Sequence, residues 1–215
     1  MNQIPPSEWL ENVTFDEMVV GQSARLLRTL STADIQAFAA VSGDTNPTHL
    51  NSDYANDTLF HGVIAHGMWG GALISAVLGT QLPGPGTIYL SQNLHFERPV
   101  RVGDTLTVTV TVLRKDDAKH HVDLDCQLTN QHGVCVLRGT AQVLAPTVRV
   151  SLPRVSAPHL LLNDPQARFK ALLALGAGLA AVRCAVVHPC DAGSLSGALD
   201  AARYGLIVPV LVGPV

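Results

Sequence analysis

The chain has 215 residues, of which 47% are hydrophobic and 14% are charged, and its formal net charge is −3. This apolar and weakly charged composition is typical of a globular protein and excludes a disordered chain. No basic excess is present to attract nucleic acid or an anionic membrane surface, so we expect neither as a partner.

The ends and the cysteines of the chain indicate a cellular location. The N-terminus has no basic start followed by an apolar stretch, so it is unlike a signal peptide. The longest apolar run without charge, residues 171–182, is shorter than the roughly 20 residues that a membrane-spanning helix needs. The four cysteines form no CxxC pair, which favours reduced thiols. We therefore expect a cytoplasmic protein.

The chain begins with a weak strand pattern, a helix and a loop. Residues 23–30 alternate weakly between apolar and polar, as in a strand. Ser31 is a suitable N-cap with Asp34 three residues later, so a helix with an apolar stripe should follow. Gly43 and Pro47 end that helix, because glycine favours the C-terminal cap and proline cannot continue a helix.

The next elements predict a layered domain. A short helix is expected over 52–57 and a longer one over 68–82. The longer helix is apolar on nearly every side and rich in Gly and Ala, which predicts that it is buried. A buried helix followed by antiparallel strands predicts an α+β fold with the sheet wrapped around the helix. The strand patterns lie at 87–97, 104–113, 121–129 and 134–144.

The composition changes after residue 147, where the first domain, 1–147, should end. Prolines among Arg and Ser over 148–158 predict a linker. Residues 159–215 then show a helix pattern at 163–180 and a strand-helix-strand pattern. So short a unit cannot bury its own faces, so we expect an incomplete α/β fragment, the truncated start of a larger domain. Its last three elements are predicted at 184–188, 194–204 and 207–212.

A short loop carries the residues best suited to chemistry. Asp44 and His49 stand on either side of Asn46 and Pro47, and the proline stiffens the loop. The loop can present a carboxylate and an imidazole to one point, and His exchanges protons near neutrality, which suits activation of water. Asn46 has the turn chemistry to support the loop. A turn aspartate and a surface histidine are the commoner explanation of so short a motif.

The start of the long helix offers a second functional element. The first N–H groups of a helix have no partner within it, and the helix dipole is positive there. Gly67 has no side chain, so a carbonyl oxygen of a substrate can approach its N–H. For His61 and His66, in the loop before the helix, we expect structural or substrate-loop roles, because no third ligand completes a metal site.

Three segments resemble the MaoC-like, (R)-specific enoyl-CoA hydratase family. They are FAAVSGDTNPTHLNSDYA (38–55), FHGVIAHGMWGGALISAVLGTQLPGPGTIYLSQNLHFERPV (60–100) and VGDTLTVTVTV (102–112), and they follow the family's order. Together they cover most of residues 20–145. The resemblance implies a hotdog fold, and a homodimer or dimer of dimers whose active site lies at a subunit interface.

The implied reaction is the reversible hydration of a trans-2-enoyl-CoA to an (R)-3-hydroxyacyl-CoA, as in fatty acid metabolism, with no cofactor and no metal. The resemblance implies Asp44 and His49 as the catalytic pair and Gly67 as the N–H donor to the thioester oxygen. A hotdog acyl-CoA thioesterase and a non-catalytic acyl-CoA-binding module are the alternatives. The residues that could line an acyl pocket, although core packing explains them equally well, are Phe60, Val63, Ile64 and Trp69.

The last part of the chain resembles a different family. The segment AVVHPCDAGSLSGALDAARYGLIVPVLVGP (185–214) is similar to the beginning of phosphate acetyltransferase and butyryltransferase domains. The order of the two resemblances is that of bifunctional proteins with a hydratase domain before such a transferase. The similarity covers about the first two strands of the larger domain, so we expect no transferase activity from this chain.

Overall fold

The computed structural model describes residues 9–156 and 167–213. The chain divides into two compact units, 1–160 and 161–215. Within the described ranges, no helix is long and apolar enough to cross a membrane. In chain order, the first unit contains β1 (Trp9–Glu11), β2 (Ser23–Thr29), α1 (Thr32–Ser42), α2 (Pro47–Leu50), α3 (Ser52–Asn56), α4 (Gly67–Thr80), β3 (Ile88–Phe96), β4 (Thr105–Asp116), β5 (His121–Thr129), β6 (Cys135–Leu144) and β7 (Ser151–Pro153).

A five-stranded antiparallel sheet, in the order β2-β4-β5-β6-β3, forms the frame of the first unit. Along β4, buried side chains alternate with half-buried threonines, because successive residues of a strand point to opposite faces. The buried face of β4 packs in one cluster with Ile74 and Val77 of α4, which are fully buried. The predicted α+β hotdog fold is therefore confirmed, with the sheet around a central helix.

Close packing rather than strong capping holds α4 in place. A Cβ atom added at Gly70 would lie 3.0 Å from Cδ1 of Leu137, so the glycine lets the helix approach β6 closely. Each large apolar side chain buried in this way contributes about 1.5–3 kcal/mol. The composition predicts a helix that is buried on nearly every side, but the structure differs. Met68, Ala72 and Ser75 form an exposed stripe in the single chain.

A second, two-stranded sheet lies partly within the predicted linker 148–158, where β7 pairs with β1. Asn12, which is 1% exposed, connects this sheet to neighbouring backbone by hydrogen bonds. Its side-chain amide donates to the carbonyl oxygens of Pro85 and Val148 and accepts the N–H of Val150. Strands of three residues carry too little alternation to be recognised in a sequence, so the pattern did not reveal them.

The second unit contains α5 (Ala167–Gly176), β8 (Val182–Val187), α6 (Ala192–Arg203) and β9 (Ile207–Val212). β8 and β9 pair in parallel and α6 connects them, which is the predicted strand-helix-strand arrangement. Asp191 caps α6 by accepting the N–H of Ser194 at 2.8 Å. The first residues of the helix predicted over 163–180 lie outside the described residues.

The four cysteines are all unpaired, as expected for reduced thiols. Cys126 points into the core of the first unit, and burial raises the pKa of its thiol to about 12. This thiol therefore stays protonated and unreactive in the folded protein. Cys135 is half-buried, whereas Cys184 and Cys190 are exposed.

The Asn12 contacts predict how a C-terminal truncation of the chain affects the stability of the first unit. A chain that ends at residue 146 lacks β7 and two backbone partners of Asn12, and unmet hydrogen bonds of a buried amide cost about 1–3 kcal/mol. We expect a chain that ends at residue 156 to unfold at a higher temperature than one that ends at 146, as measured by circular dichroism. Asn12→Ala in the longer chain should lower the melting temperature similarly, and equal values for both truncations would contradict the prediction.

Candidate active site

Two local hydrogen bonds shape the loop between α1 and α2. Gly43 ends α1 with a φ of 75°, a left-handed conformation that glycine adopts at low cost. The carboxylate of Asp44 accepts the N–H of Asn46 at 3.2 Å, and the side-chain oxygen of Asn46 accepts the N–H of Thr48 at 3.0 Å. The second bond caps α2, so the loop holds the Asp44 backbone next to the helical turn that carries His49.

The half-buried His49 has a fixed tautomer. Its Nδ1 lies 2.8 Å from the carbonyl oxygen of Ile64. A carbonyl oxygen can only accept a hydrogen bond, so Nδ1 carries the proton of the neutral ring. The remaining nitrogen, Nε2, therefore keeps its lone pair and can accept a proton.

His66, which immediately precedes α4, lies beside this pair, and the sequence did not predict it as a site residue. It is 2% exposed, its ring centroid lies 4.0 Å from that of His49, and its Nε2 lies 3.0 Å from the backbone oxygen of Asp44. Nε2 therefore donates, and Nδ1 keeps the lone pair. That Nδ1 is buried and has no hydrogen-bond partner among the described residues.

The three side chains form one cluster. A carboxylate oxygen of Asp44 and one ring nitrogen each of His49 and His66 all lie within 4.8 Å of one another. Such a group could hold a divalent cation, so the expectation that no third ligand stands near is wrong. Asp44 and His66 are 22 residues apart, so a short sequence motif does not reveal the cluster. The sequence feature that could have pointed to His66 is its position directly before Gly67.

His61, for which a structural or substrate-loop role is expected, does not belong to this cluster. Its Nδ1 lies 3.4 Å from the backbone oxygen of Asn56. Its φ of 51° places it in the left-handed region, which a non-glycine residue adopts at some cost. His61 therefore serves to shape the turn before α4.

A cavity of about 320 Å³ opens beside the cluster, and His49, His66 and Gly67 are among the residues that line it. Of the four candidate pocket residues, Val63 packs against the hydrophobic core instead. The rest of the wall is mostly apolar, which suits a hydrocarbon chain better than a polar substrate. The candidates that do line the cavity are Phe60, Ile64 and Trp69.

The first turn of α4 forms part of the cavity wall, through Gly67, Trp69 and Gly70. Gly67 is the first residue of the helix, and the preceding His66 makes no side-chain cap hydrogen bond within the described structure. The N–H of Trp69 donates to the backbone oxygen of His66, so the N–H groups without a partner among the described residues are those of Gly67 and Met68. Together with the positive end of the helix dipole they favour an oxygen that gains negative charge. A Cβ atom at Gly67 would lie 3.0 Å from the ring of Phe96, so a larger residue at this position would require that ring to shift.

Comparison with known proteins supports a common origin for much of the chain. The family model described as MaoC like domain matches residues 12–132. An (R)-specific enoyl-CoA hydratase from Rhodospirillum rubrum is 50% identical over 132 residues, which are 61% of this chain and 91% of that protein. The solved structure of the unliganded R-hydratase PhaJ1 from Pseudomonas aeruginosa superimposes with a TM-score of 0.69 at 44% identity, covering 72% of this chain and 99% of that one.

A further similarity belongs to a different family. A phosphate acetyltransferase from Rickettsia felis is 45% identical over 62 residues, which are 26% of this chain and 18% of that protein. This agrees in part with the resemblance of the last residues to the beginning of such transferases.

The cap of α2 predicts a stability effect in the loop. Asn46→Ala removes the oxygen that accepts the N–H of Thr48, and loss of such a cap costs about 0.5–2 kcal/mol. We expect the free energy of unfolding, measured by urea titration, to fall by that amount. Asn46→Asp keeps an acceptor at the same position and should cost less. Equal stability of the alanine variant and the wild type would contradict the role of Asn46 as a cap.

Proposed function

This chain belongs to the MaoC-like domain family, and from that premise we propose that it is an (R)-specific enoyl-CoA hydratase. The enzyme is a hydro-lyase that adds water reversibly to a trans-2-enoyl-CoA and forms an (R)-3-hydroxyacyl-CoA. The observation that carries the proposal is the placement of Asp44 and His49 beside an apolar cavity that the start of α4 also lines. Proton transfer and a carbonyl-binding N–H are all that the reaction needs, so we propose no cofactor.

The acid-base chemistry follows from the tautomer of His49. As water attacks C3 of the enoyl group, the lone pair of Nε2 takes a proton from that water, because Nδ1 is already bonded to a carbonyl oxygen. The carboxylate of Asp44 receives this proton from His49 and delivers it to C2, so both groups return to their starting states. In the reverse direction Asp44 takes the C2 proton and His49 protonates the leaving hydroxyl.

The thioester carbonyl requires a hydrogen-bond donor, because its oxygen gains negative charge as water adds. We propose that the N–H of Gly67 donates to this oxygen, aided by the dipole of α4. The acyl chain would then extend into the cavity along Phe60, Ile64 and Trp69. The intact Asp44/His49 loop favours hydration over the thioesterase alternative, whereas an N–H donor to the thioester oxygen would serve either reaction.

We also propose that the enzyme is a cytoplasmic homodimer. β3 is an edge strand of the sheet, and its residues Ile88 and Phe96 are more than half exposed. Met68 on the exposed stripe of α4 is exposed to a similar extent. A second copy of the chain would cover these apolar side chains and the unpaired strand edge. We assign no transferase activity to residues 161–215, because the similar transferase is far longer.

The catalytic pair is tested by two substitutions. Asp44→Asn and His49→Ala should each lower kcat on crotonyl-CoA on the order of 10²–10⁴-fold, because each removes a group that transfers a proton. Hydration is followed by the loss of ultraviolet absorbance of the conjugated thioester. A thiol reagent checks for free CoA, whose release from a saturated acyl-CoA would instead support a thioesterase. Wild-type rates in both variants would refute the assigned roles.

The Gly67 N–H is tested by a pair of substitutions that both add a Cβ atom but only one of which keeps that donor. Gly67→Pro removes the N–H at a position where proline suits the helix, and the ψ of 133° at His66 is compatible with a following proline. Gly67→Ala inserts a carbon at the same place but keeps the donor. We expect kcat of the proline variant to be about 10²–10³-fold below that of the alanine variant. Equal rates would show that this N–H does not bind the thioester oxygen.

A further inference from the structure

We propose that His66 is a third catalytic residue, whose Nδ1 accepts a hydrogen bond from the attacking water. This inference rests on the proposed hydratase function and adds a residue that lies outside the loop from Asp44 to His49. It starts from the one buried side-chain nitrogen or oxygen in the described residues that lacks a hydrogen-bond partner, which is His66 Nδ1.

The tautomer of His66 makes this nitrogen an acceptor. Its Nε2 donates to the backbone oxygen of Asp44, so Nδ1 of the neutral ring carries a lone pair. A buried acceptor without a partner is unfavourable, and a bound water is the usual way in which a folded protein meets such a group. His66 is also among the residues that line the cavity, and the proposal places this water at that wall.

The dimensions of the cluster suit a single water. Partners about 2.8 Å from one tetrahedral water lie about 4.6 Å from each other. One atom each of Asp44, His49 and His66 lies within 4.8 Å of the others, which is compatible with one water among the three side chains.

The proton count is consistent with this arrangement. Water has two O–H groups, and the two imidazoles each keep one lone pair after bonding to a backbone carbonyl. One O–H points to His49 Nε2, which takes that proton as the bond from oxygen to C3 forms. The other O–H points to His66 Nδ1 and remains on the product hydroxyl. Asp44 is thereby free to exchange the proton at C2.

The ring of His66 is well placed to hold water in one orientation. Its centroid lies 4.0 Å from that of the His49 ring and 5.1 Å from that of the Phe38 ring, and the residue is almost fully buried. An immobilised acceptor orients the water before the reaction, so little freedom is lost on the way to the transition state.

Two substitutions separate the two nitrogens of His66. His66→Asn places an amide near the position of Nδ1 and loses the Nε2 donor, whereas His66→Gln places an N–H near Nε2 and loses the Nδ1 acceptor. We expect His66→Gln to lower kcat on crotonyl-CoA by about 10- to 100-fold with KM little changed, and His66→Asn to lower it less than about fivefold. Thermal unfolding of both variants monitors the hydrogen bond to Asp44.

The reverse order would overturn the proposal, because His66 would then only anchor the Asp44 loop. Equal losses in both folded variants, or no loss in either, would also overturn it. A high-resolution crystal structure of the wild type decides the point even if a variant does not fold. A water within about 3.2 Å of both His66 Nδ1 and His49 Nε2 supports the proposal. A cation with ligands at about 2.1 Å, or no water there, contradicts it. Failure of the wild type to hydrate crotonyl-CoA would instead refute the proposed function.

Discussion

The burial of α4 against the five-stranded sheet is the constraint on which the rest of the first unit depends. Its residues Ile74, Val77 and Leu78 are at most 1% exposed and pack among the inward side chains of β4 and β5. This packing places the first turn of α4 at the wall of the cavity. The site is therefore built on a rigid element at one side and on a short loop at the other.

Backbone carbonyl groups connect these two sides. The oxygen of Ile64, just before α4, accepts from His49, and the oxygen of Asp44 accepts from His66. Each contact links the loop to the segment that leads into the helix, so any shift of one side is opposed by the other. The same two contacts set both tautomers and leave one basic nitrogen on each ring, so that the geometry and the acid-base character of the site have a common origin.

The sequence reveals the features that depend on local pattern and hides those that depend on distant contacts. Alternation locates β4 and β5, because every second side chain of β5 and of the first part of β4 is buried. The observed β5 has the predicted bounds, 121–129. The pairing of β1 with β7 joins residues about 140 apart and follows from no local pattern. The contact of His66 with Asp44 also joins distant residues, because the chain comes back to the Asp44 loop just before α4 begins. Motif likeness points to Asp44, His49 and Gly67, but the tautomers follow only from coordinates.

The start of α4 also differs from what stability alone would favour. Ser, Thr, Asp or Asn at the N-cap would contribute about 1 kcal/mol by accepting an N–H of the first turn. Here the N-cap is His66, whose side chain makes no such bond within the described residues and instead holds Asp44. In the proposed site, a capping oxygen would occupy N–H groups that are assigned to the thioester oxygen, and a capping aspartate would repel the developing charge of that oxygen. The uncapped helix start is therefore what a carbonyl-binding site requires, and the surrounding core supplies the stability that the cap does not.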